Sequence, residues 1–450
     1  MDTFIFKSAT YEAESQTILL GYAYENGLEF VEKIHFPDCR TNLNNDEREA
    51  LEKAIVQLHL AAGISYYKAY CPKNIRVDNH GLTKQEADFF FKFYRHGLGE
   101  FSVENDIDLS GVIRFPITSN HHLAPNEITL PNRAVIPIGG GKDSVVSLDI
   151  LKAANRPLRM IAINAGRPIK EVMNIADANE AIHIQRKLDP ALFELDDIAF
   201  ENGGAMNGHV PITGILSFIM ACGAILYGYD SVVMSNEGSA SEGNMEFAGI
   251  EVNHQYSKSL EFELDFDHYI RKTTLSNFHY FSLLRPLNET GIAALFATLP
   301  HYFETFKSCN RNFHIDEGLR QYGWCCDCPK CHFVFLALSP FIARDLLIEI
   351  FGKNMLDDPS QENGFRELCG LKGHKPFECV GEIEECQYIL KTLTTTEWAN
   401  DQLVQKLAAE LDLDVLSVEE LKASALTFRY DHNIPAEFLE HLNDFISARK

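Results

Sequence analysis

The stretch AVIPIGGGKDSVVSLDILKA, residues 134–153, decides the fold class. Its first five residues, 134–138, are apolar and suit a short buried strand, and residues 144–153 repeat apolar side chains at helical spacing. Between them stand Gly139, Gly140, Gly141, Lys142, Asp143 and Ser144. Glycines let a backbone turn sharply and bring N–H groups close to an anion. Asp143 or Ser144 caps the helix that follows, whose free N–H groups and dipole favour phosphate. Lys142 adds positive charge and Ser144 a hydroxyl. The loop is not a Walker A motif, which places Ser or Thr directly after the lysine, nor a dinucleotide fingerprint, whose third glycine falls elsewhere. Pro137 lies near the strand end, where a missing ladder donor is tolerable.

Outward from that stretch the rhythm of strand, loop and helix continues. Residues 158–164 read as a strand, 168–187 as a long helix, 191–195 as a short strand, 211–228 as an apolar helix and 231–235 as a strand. This alternation predicts an α/β fold with a parallel sheet covered by helices. Ligands then sit beyond the carboxyl ends of the strands, at loops starting near Gly139, Asn164, Asp196 and Ser235. Residues 1–125 read as a separate α+β domain. Its strands lie at 3–6, 17–24 and 28–36, and its helices at 45–62 and 85–97. Residues 118–130 form a linker. The α/β domain with its cysteine cluster spans 130–340, and a helical region fills 341–450, with helices at 341–351, 394–413 and 418–426.

The 40 basic and 64 acidic side chains leave a net charge of −24 over 450 residues. Nucleic-acid binding leans on lysine and arginine meeting phosphates, so the balance points away from nucleic acid and toward a small substrate. The first residues show no signal-peptide pattern. The longest apolar stretch, 212–227, is broken by Thr213, Gly214 and Ser217 and is too short for a bilayer. The expectation is a cytoplasmic protein with no membrane partner, whose eleven cysteines stay mostly reduced.

Three further segments carry chemistry. Cys325, Cys328 and Cys331 form C-x2-C-x2-C, with Cys309 upstream as a fourth ligand, and four thiolates suit tetrahedral zinc. Cys326 is an extra thiol that could exchange with Cys325, and His314 and His332 are spare ligands. Small buried cysteines or a redox pair are the competing readings. The segment VVMSNEGSASEGN, 232–244, carries Glu237 and Glu242, oxygen donors suited to Mg2+. The segment ENGGAMNGHVPITG, 201–214, offers Asn207, His209 and Thr213.

The glycine-rich loop resembles the SGGxDS loop of the N-type ATP pyrophosphatases. Gly140, Gly141, Asp143 and Ser144 match, and Gly139 replaces the first serine. The resemblance implies a PP-loop fold of the adenine nucleotide alpha hydrolase-like type, cleavage of ATP to AMP and pyrophosphate, and adenine bound near Asn164 and Gly166. The cysteine cluster is similar to the zinc site of 7-cyano-7-deazaguanine synthases. GGGKDS, GAMNGHVPITG, SNEGSASEGN and GHKPFECVGE (373–382) together resemble the bacterial UDP-N-acetylmuramoyl-L-alanyl-L-glutamate epimerase family.

That resemblance implies an ATP-dependent isomerase of peptidoglycan biosynthesis, acting on the terminal glutamate of a UDP-linked muramoyl dipeptide. A carboxylate resists loss of its neighbouring α-proton, and adenylation removes that obstacle. Cys379, His209 and Glu242 are the candidate catalytic residues, with His374, Glu382 and His254 beside them. Lys142, Arg167, Lys258, Arg271 and Arg285 are cations available to an anionic substrate. A homo-oligomer is compatible with all of this. An amidating or thiolating ATP pyrophosphatase, and a nucleotide sensor without turnover, stay open as alternatives.

Overall fold

The computed structural model describes residues 2–121, 123–176, 181–195, 204–243, 245–313, 318, 320–373, 376 and 378–449. It is α/β, with a mixed sheet and helices. The chain divides into two compact units, neither of them continuous in sequence. The first holds residues 1–135, 182–232 and 241–281, and the second holds 136–181, 233–240 and 282–450.

In the first unit, strands Thr3–Glu12, Thr17–Tyr24 and Glu29–His35 form an antiparallel meander. Gly27, at φ 92°, makes the turn between the last two. Asn74–Val77 adds in parallel beside the first strand, and Ile182–Lys187 adds antiparallel beside the third. Ala134 and Val135 pair in parallel with Ser231 and Val232.

Residues 182–187 correct an expectation. The helix expected over 168–187 is Arg167–Ile175, and residues 182–187 are a strand. The strand buries Ile182, Ile184 and Arg186 and exposes the residues between them, a period of two that no helix can satisfy. The expected strand at 191–195 is likewise replaced by a 3₁₀ turn, Pro190–Leu192, capped by Asp189.

Inward-facing Arg186 meets the buried Glu32 through two hydrogen bonds of 2.7 and 3.2 Å, and Ser65 accepts a third at 3.1 Å. The helix Asn45–Ala62 starts at a capping box of Asn44 and Glu47. His59, near its end, lies among Phe6 and Tyr22, with ring centroids at 5.2 and 4.7 Å, and its Nε2 is 2.9 Å from the Gly21 carbonyl. Gly63 follows because a Cβ there would stand 2.4 Å from the Phe6 ring. The apolar helix Ile212–Gly223 ends in a π-helical turn, Ala224–Gly228. The helix Leu260–Thr273 escaped the sequence pattern.

In the second unit, Ile138 donates to the Ile161 carbonyl at 2.9 Å, which sets the approach to the glycine loop beside strand Leu158–Ile163. From residue 329 onward the described elements are helical. The expected helix at 394–413 shrinks to Gln402–Ala408. The hydroxyls of Thr394, Thr395 and Thr396 bond the carbonyls of Lys391, Thr392 and Leu393 and so support tight turns. Trp398 is fully buried and donates to the Ser339 carbonyl at 2.9 Å. Among the described residues no helix is long and apolar enough to cross a membrane.

Burial pushes the His59 imidazole down to about 4. The folded state therefore disfavours the charged ring, and the stability tied to its neutral form is lost as pH falls from 6.5 toward 4. The full effect is roughly 3 kcal/mol at 1.36 kcal/mol per pKa unit. Urea unfolding across that window should show a falling limb that His59→Gln flattens.

Candidate functional site

The glycine loop belongs to the second unit. Gly140 adopts φ 83°, a conformation that favours glycine, and its backbone lies against that of Pro168 and Ile169. Gly141 is held closely, because a Cβ there would be 2.8 Å from Ser308 Oγ. The helix Lys142–Ala153 then starts at Gly141 with no side-chain cap on its first N–H groups. Ser144 Oγ instead donates to the Gly141 carbonyl at 3.2 Å. A second uncapped start lies alongside: strand Leu158–Ile163 ends at Asn164, φ 53°, and Gly166 opens the helix Arg167–Ile175.

Lys142 does not reach toward this loop face. Its side chain is buried and its ammonium is bound by Asp143 and Glu289. Burial pushes the Glu289 carboxyl upward, Lys142 opposes the rise, and Asp143 and Glu237 add to it. The lysine thus neutralises an interior acidic cluster and does not lend its charge to the loop.

Glu289 opens the helix Glu289–Phe296, which the sequence reading missed. Its signal was Asn288, whose Oδ1 accepts from Gly291 N at 2.9 Å, followed by an apolar run. The same helix start gathers other motifs. Thr290 N and Oγ1 both donate to Glu385 Oε1 at 2.9 Å. Glu385 and Glu382 form the capping box of helix Ile383–Leu393, and Tyr430 donates to Glu382 at 2.5 Å. The Tyr430 ring covers Gly238, where a Cβ would fall 2.0 Å from it. Buried Arg285 donates to the Glu237 carbonyl at 2.6 Å, and Asn236 donates to Ser282 Oγ at 3.0 Å. Thus the glycine loop, residues 236–240 and Glu382 share one network inside the second unit.

Cys379 is half-buried in this unit. Its neighbour Glu378 accepts from Asn310 Nδ2 at 2.6 and 2.7 Å, which ties the segment to the residue after Cys309. His374 lies outside the described residues, as do His314 and Asp196.

Cys309, Cys325, Cys328 and Cys331 converge, with Sγ separations of 3.9 Å for 309–328, 3.6 Å for 325–331 and 3.5 Å for 328–331. Four sulfurs around a tetrahedral zinc at about 2.3 Å stand about 3.8 Å apart, so the donor set and spacing fit that ion. Cys326 adopts φ 54° and turns its thiol to the Phe351 carbonyl at 3.3 Å, away from any exchange with Cys325. His332 is buried and engages Gln361 at 2.7 Å, so it is not a spare ligand.

The other two candidate catalytic residues lie in the first unit. Glu242 is exposed. Glu237, its expected magnesium partner, belongs to the second unit. His209 Nδ1 stands 3.3 Å from Glu100 Oε2, the oxygen that also binds His254 Nδ1. Burial drives the His209 imidazole down to about 4, Glu100 pulls it up, and His254, Lys258 and Lys68 add to the fall. Of the remaining candidate cations, Arg167 pairs with Glu171 at 2.6 Å and Arg271 approaches Asp267 at 3.7 Å.

Removing the buried ammonium should expose the cost of the acidic cluster. Lys142→Met leaves Glu289 without its counter-charge and should destabilise the protein by about 3–5 kcal/mol. Adding Glu289→Gln should restore most of that loss in the same urea titration.

Two family models match the chain: the MurL N-terminal domain over residues 1–283 and the MurL C-terminal domain over residues 305–421. The UDP-N-acetyl-alpha-D-muramoyl-L-alanyl-L-glutamate epimerase of Xanthomonas oryzae pv. oryzae is 39% identical over 447 residues, 98% of this chain and 97% of that protein. The proteins of the same name from Salinispora tropica and a Micromonospora species are 37% and 36% identical, each over 90% of this chain and over 88% and 90% of their own lengths.

Proposed function

The chain belongs to the MurL family, and from that premise we propose that it inverts the terminal L-glutamate of UDP-N-acetylmuramoyl-L-alanyl-L-glutamate. The observation that carries this reading is the near-full-length likeness to epimerases of that name. The substrate is a UDP-linked muramoyl peptide, and the reaction belongs to peptidoglycan synthesis.

We propose that ATP drives the inversion. The glutamate carboxylate attacks the α-phosphorus of ATP, a P–O bond breaks, and pyrophosphate leaves. The acyl-adenylate so formed carries no charge on its carbonyl. Loss of the α-proton then sends the electron pair into an enolate, which hydrogen-bond donors can stabilise. Return of a proton to the opposite face and hydrolysis of the adenylate give the D-glutamate product and AMP.

Several features support this assignment. The uncapped helix start after Gly139, Gly140 and Gly141 suits the leaving pyrophosphate. Asn164 and Gly166, at the next strand end, would border the adenine. A magnesium ion accompanying ATP would find oxygen donors in Asp143 and Glu237, and bound there it would offset phosphate charge. Cys379 is the nominated proton-transfer group, since a thiol can give and accept a proton when its surroundings match its pKa to the task. Cys309, Cys325, Cys328 and Cys331 would hold a structural zinc ion. The fold would then be of the PP-loop nucleotide-binding type in the second unit.

Incubation with UDP-N-acetylmuramoyl-L-Ala-L-Glu, ATP and magnesium in deuterated water tests the scheme. The expected products are AMP, pyrophosphate and D-glutamate with deuterium at its α-carbon; AMP without α-deuterium would sink the inversion, and inversion without AMP would sink the adenylate. Cys379→Ala should lower inversion and α-exchange by about 10²–10⁴-fold while AMP still forms. Metal analysis should find zinc in the purified protein, and Cys328→Ser should lose it with a marked fall in thermal stability.

A further inference from the structure

The first unit brings together two imidazoles and a carboxylate that the scheme above does not use. Glu100 lies in the short helix Gly99–Glu104, His209 in the segment before helix Ile212–Gly223, and His254 after strand Ile250–Val252. One ligand atom from each falls within 4.8 Å of the others. Side-chain exposures of 12%, 27% and 14% make the cluster half-buried, sheltered yet within reach of solvent.

The backbone is shaped to deliver His209. Gly208 adopts φ 145°, and a Cβ there would lie 2.9 Å from Glu104 Oε2 and 3.0 Å from the Phe101 ring. The preceding Asn207 is held from two sides, its carbonyl by Asn105 Nδ2 at 3.1 Å and its Oδ1 by Lys68 at 3.0 Å. On the other side, Asn253 Oδ1 accepts from Gln255 N at 2.6 Å and fixes the turn that carries His254.

We infer that Glu100, His209 and His254 form a metal site in the first unit, which takes a divalent first-row transition ion such as zinc. The donor set is two imidazoles and one carboxylate, which suits zinc, manganese or iron(II) better than calcium or magnesium. Donors about 2.1 Å from such an ion stand roughly 3.4 Å apart; His209 and Glu100 stand 3.3 Å apart, while His254 Nδ1 hydrogen-bonds the same Glu100 oxygen at closer range and would move back to admit the ion. The remaining coordination positions fall to water. The two nearby ammonium groups are each engaged by an amide oxygen, Lys68 by Asn207 and Lys258 by Gln255. The site differs in kind from the sulfur cluster, because its donors are nitrogen and oxygen.

The test uses the full-length protein, stripped by chelator and then equilibrated with zinc alone. The wild type should retain one equivalent more than His209→Ala and Glu100→Gln. Cobalt substitution separates the two sites, since only the cysteine site gives sulfur-to-cobalt charge transfer, and that band should be unchanged in both variants. Affinity for the extra equivalent should fall by at least about tenfold, the lower end of what outer-shell changes alone produce. Equal zinc content in wild type and variants overturns the site, as does a wild type that binds only the ion seen through sulfur. Circular dichroism checks folding. Glu100→Gln keeps the shape of the side chain and carries the test if the histidine variant fails to fold.

Discussion

A buried ammonium held between two carboxylates governs the second unit. Lys142 is 2% exposed, and charges of that kind cannot stand alone in a low-dielectric interior. Its partner Glu289 therefore fixes the start of helix Lys142–Ala153 against the start of helix Glu289–Phe296. Once those two helix starts are joined, the rest of the network follows by short steps. Thr290 reaches Glu385, Glu385 shares a capping box with Glu382, and Tyr430 ties Glu382 to the backbone at Gly238. Residues far apart in sequence thus join one network with the helix that follows the glycine loop.

The same pair bears on how so acidic a chain would hold the phosphates of the proposed ATP reaction. With a net charge of −24 there is little positive field to lend a phosphate. Two helix starts without side-chain caps, at Gly141 and Gly166, would supply N–H groups instead. Their partial charges act only at short range and need no basic side chain. Lys142 is left to stabilise the protein interior, a task its position in the motif does not reveal.

The thiolates and the histidine cluster follow different chemistry. Sulfur donors at 3.5–3.9 Å favour a closed, soft site. The imidazole and carboxylate group is more open and harder. In each case neighbours decide which side chains take part. The Phe351 carbonyl draws Cys326 away from the sulfur cluster, and Gln361 holds His332. Ligand type and spacing alone could not make those distinctions, because Cys326 lies inside the motif, His332 directly follows it, and both have suitable donors.

Much was legible in the sequence where a local rule decided the outcome. The strand–glycine–helix order at 134–153, the capped helix at 45–62 and the four converging cysteines all appear as their residue types require. The motifs also identified the family, since side-chain identities are written in the chain. Other features needed the folded molecule. Residues 182–187 form a strand because a neighbouring strand at Glu29–His35 pairs with them and buries Arg186 on Glu32, a partner 154 positions away. Lys142 turns inward because Glu289, 147 positions later, arrives beside it. Composition and periodicity determined which elements could exist and what chemistry they could carry. Only the tertiary structure decided which charges became partners, because burial makes an unpaired charge costly and the partner is chosen by proximity in space.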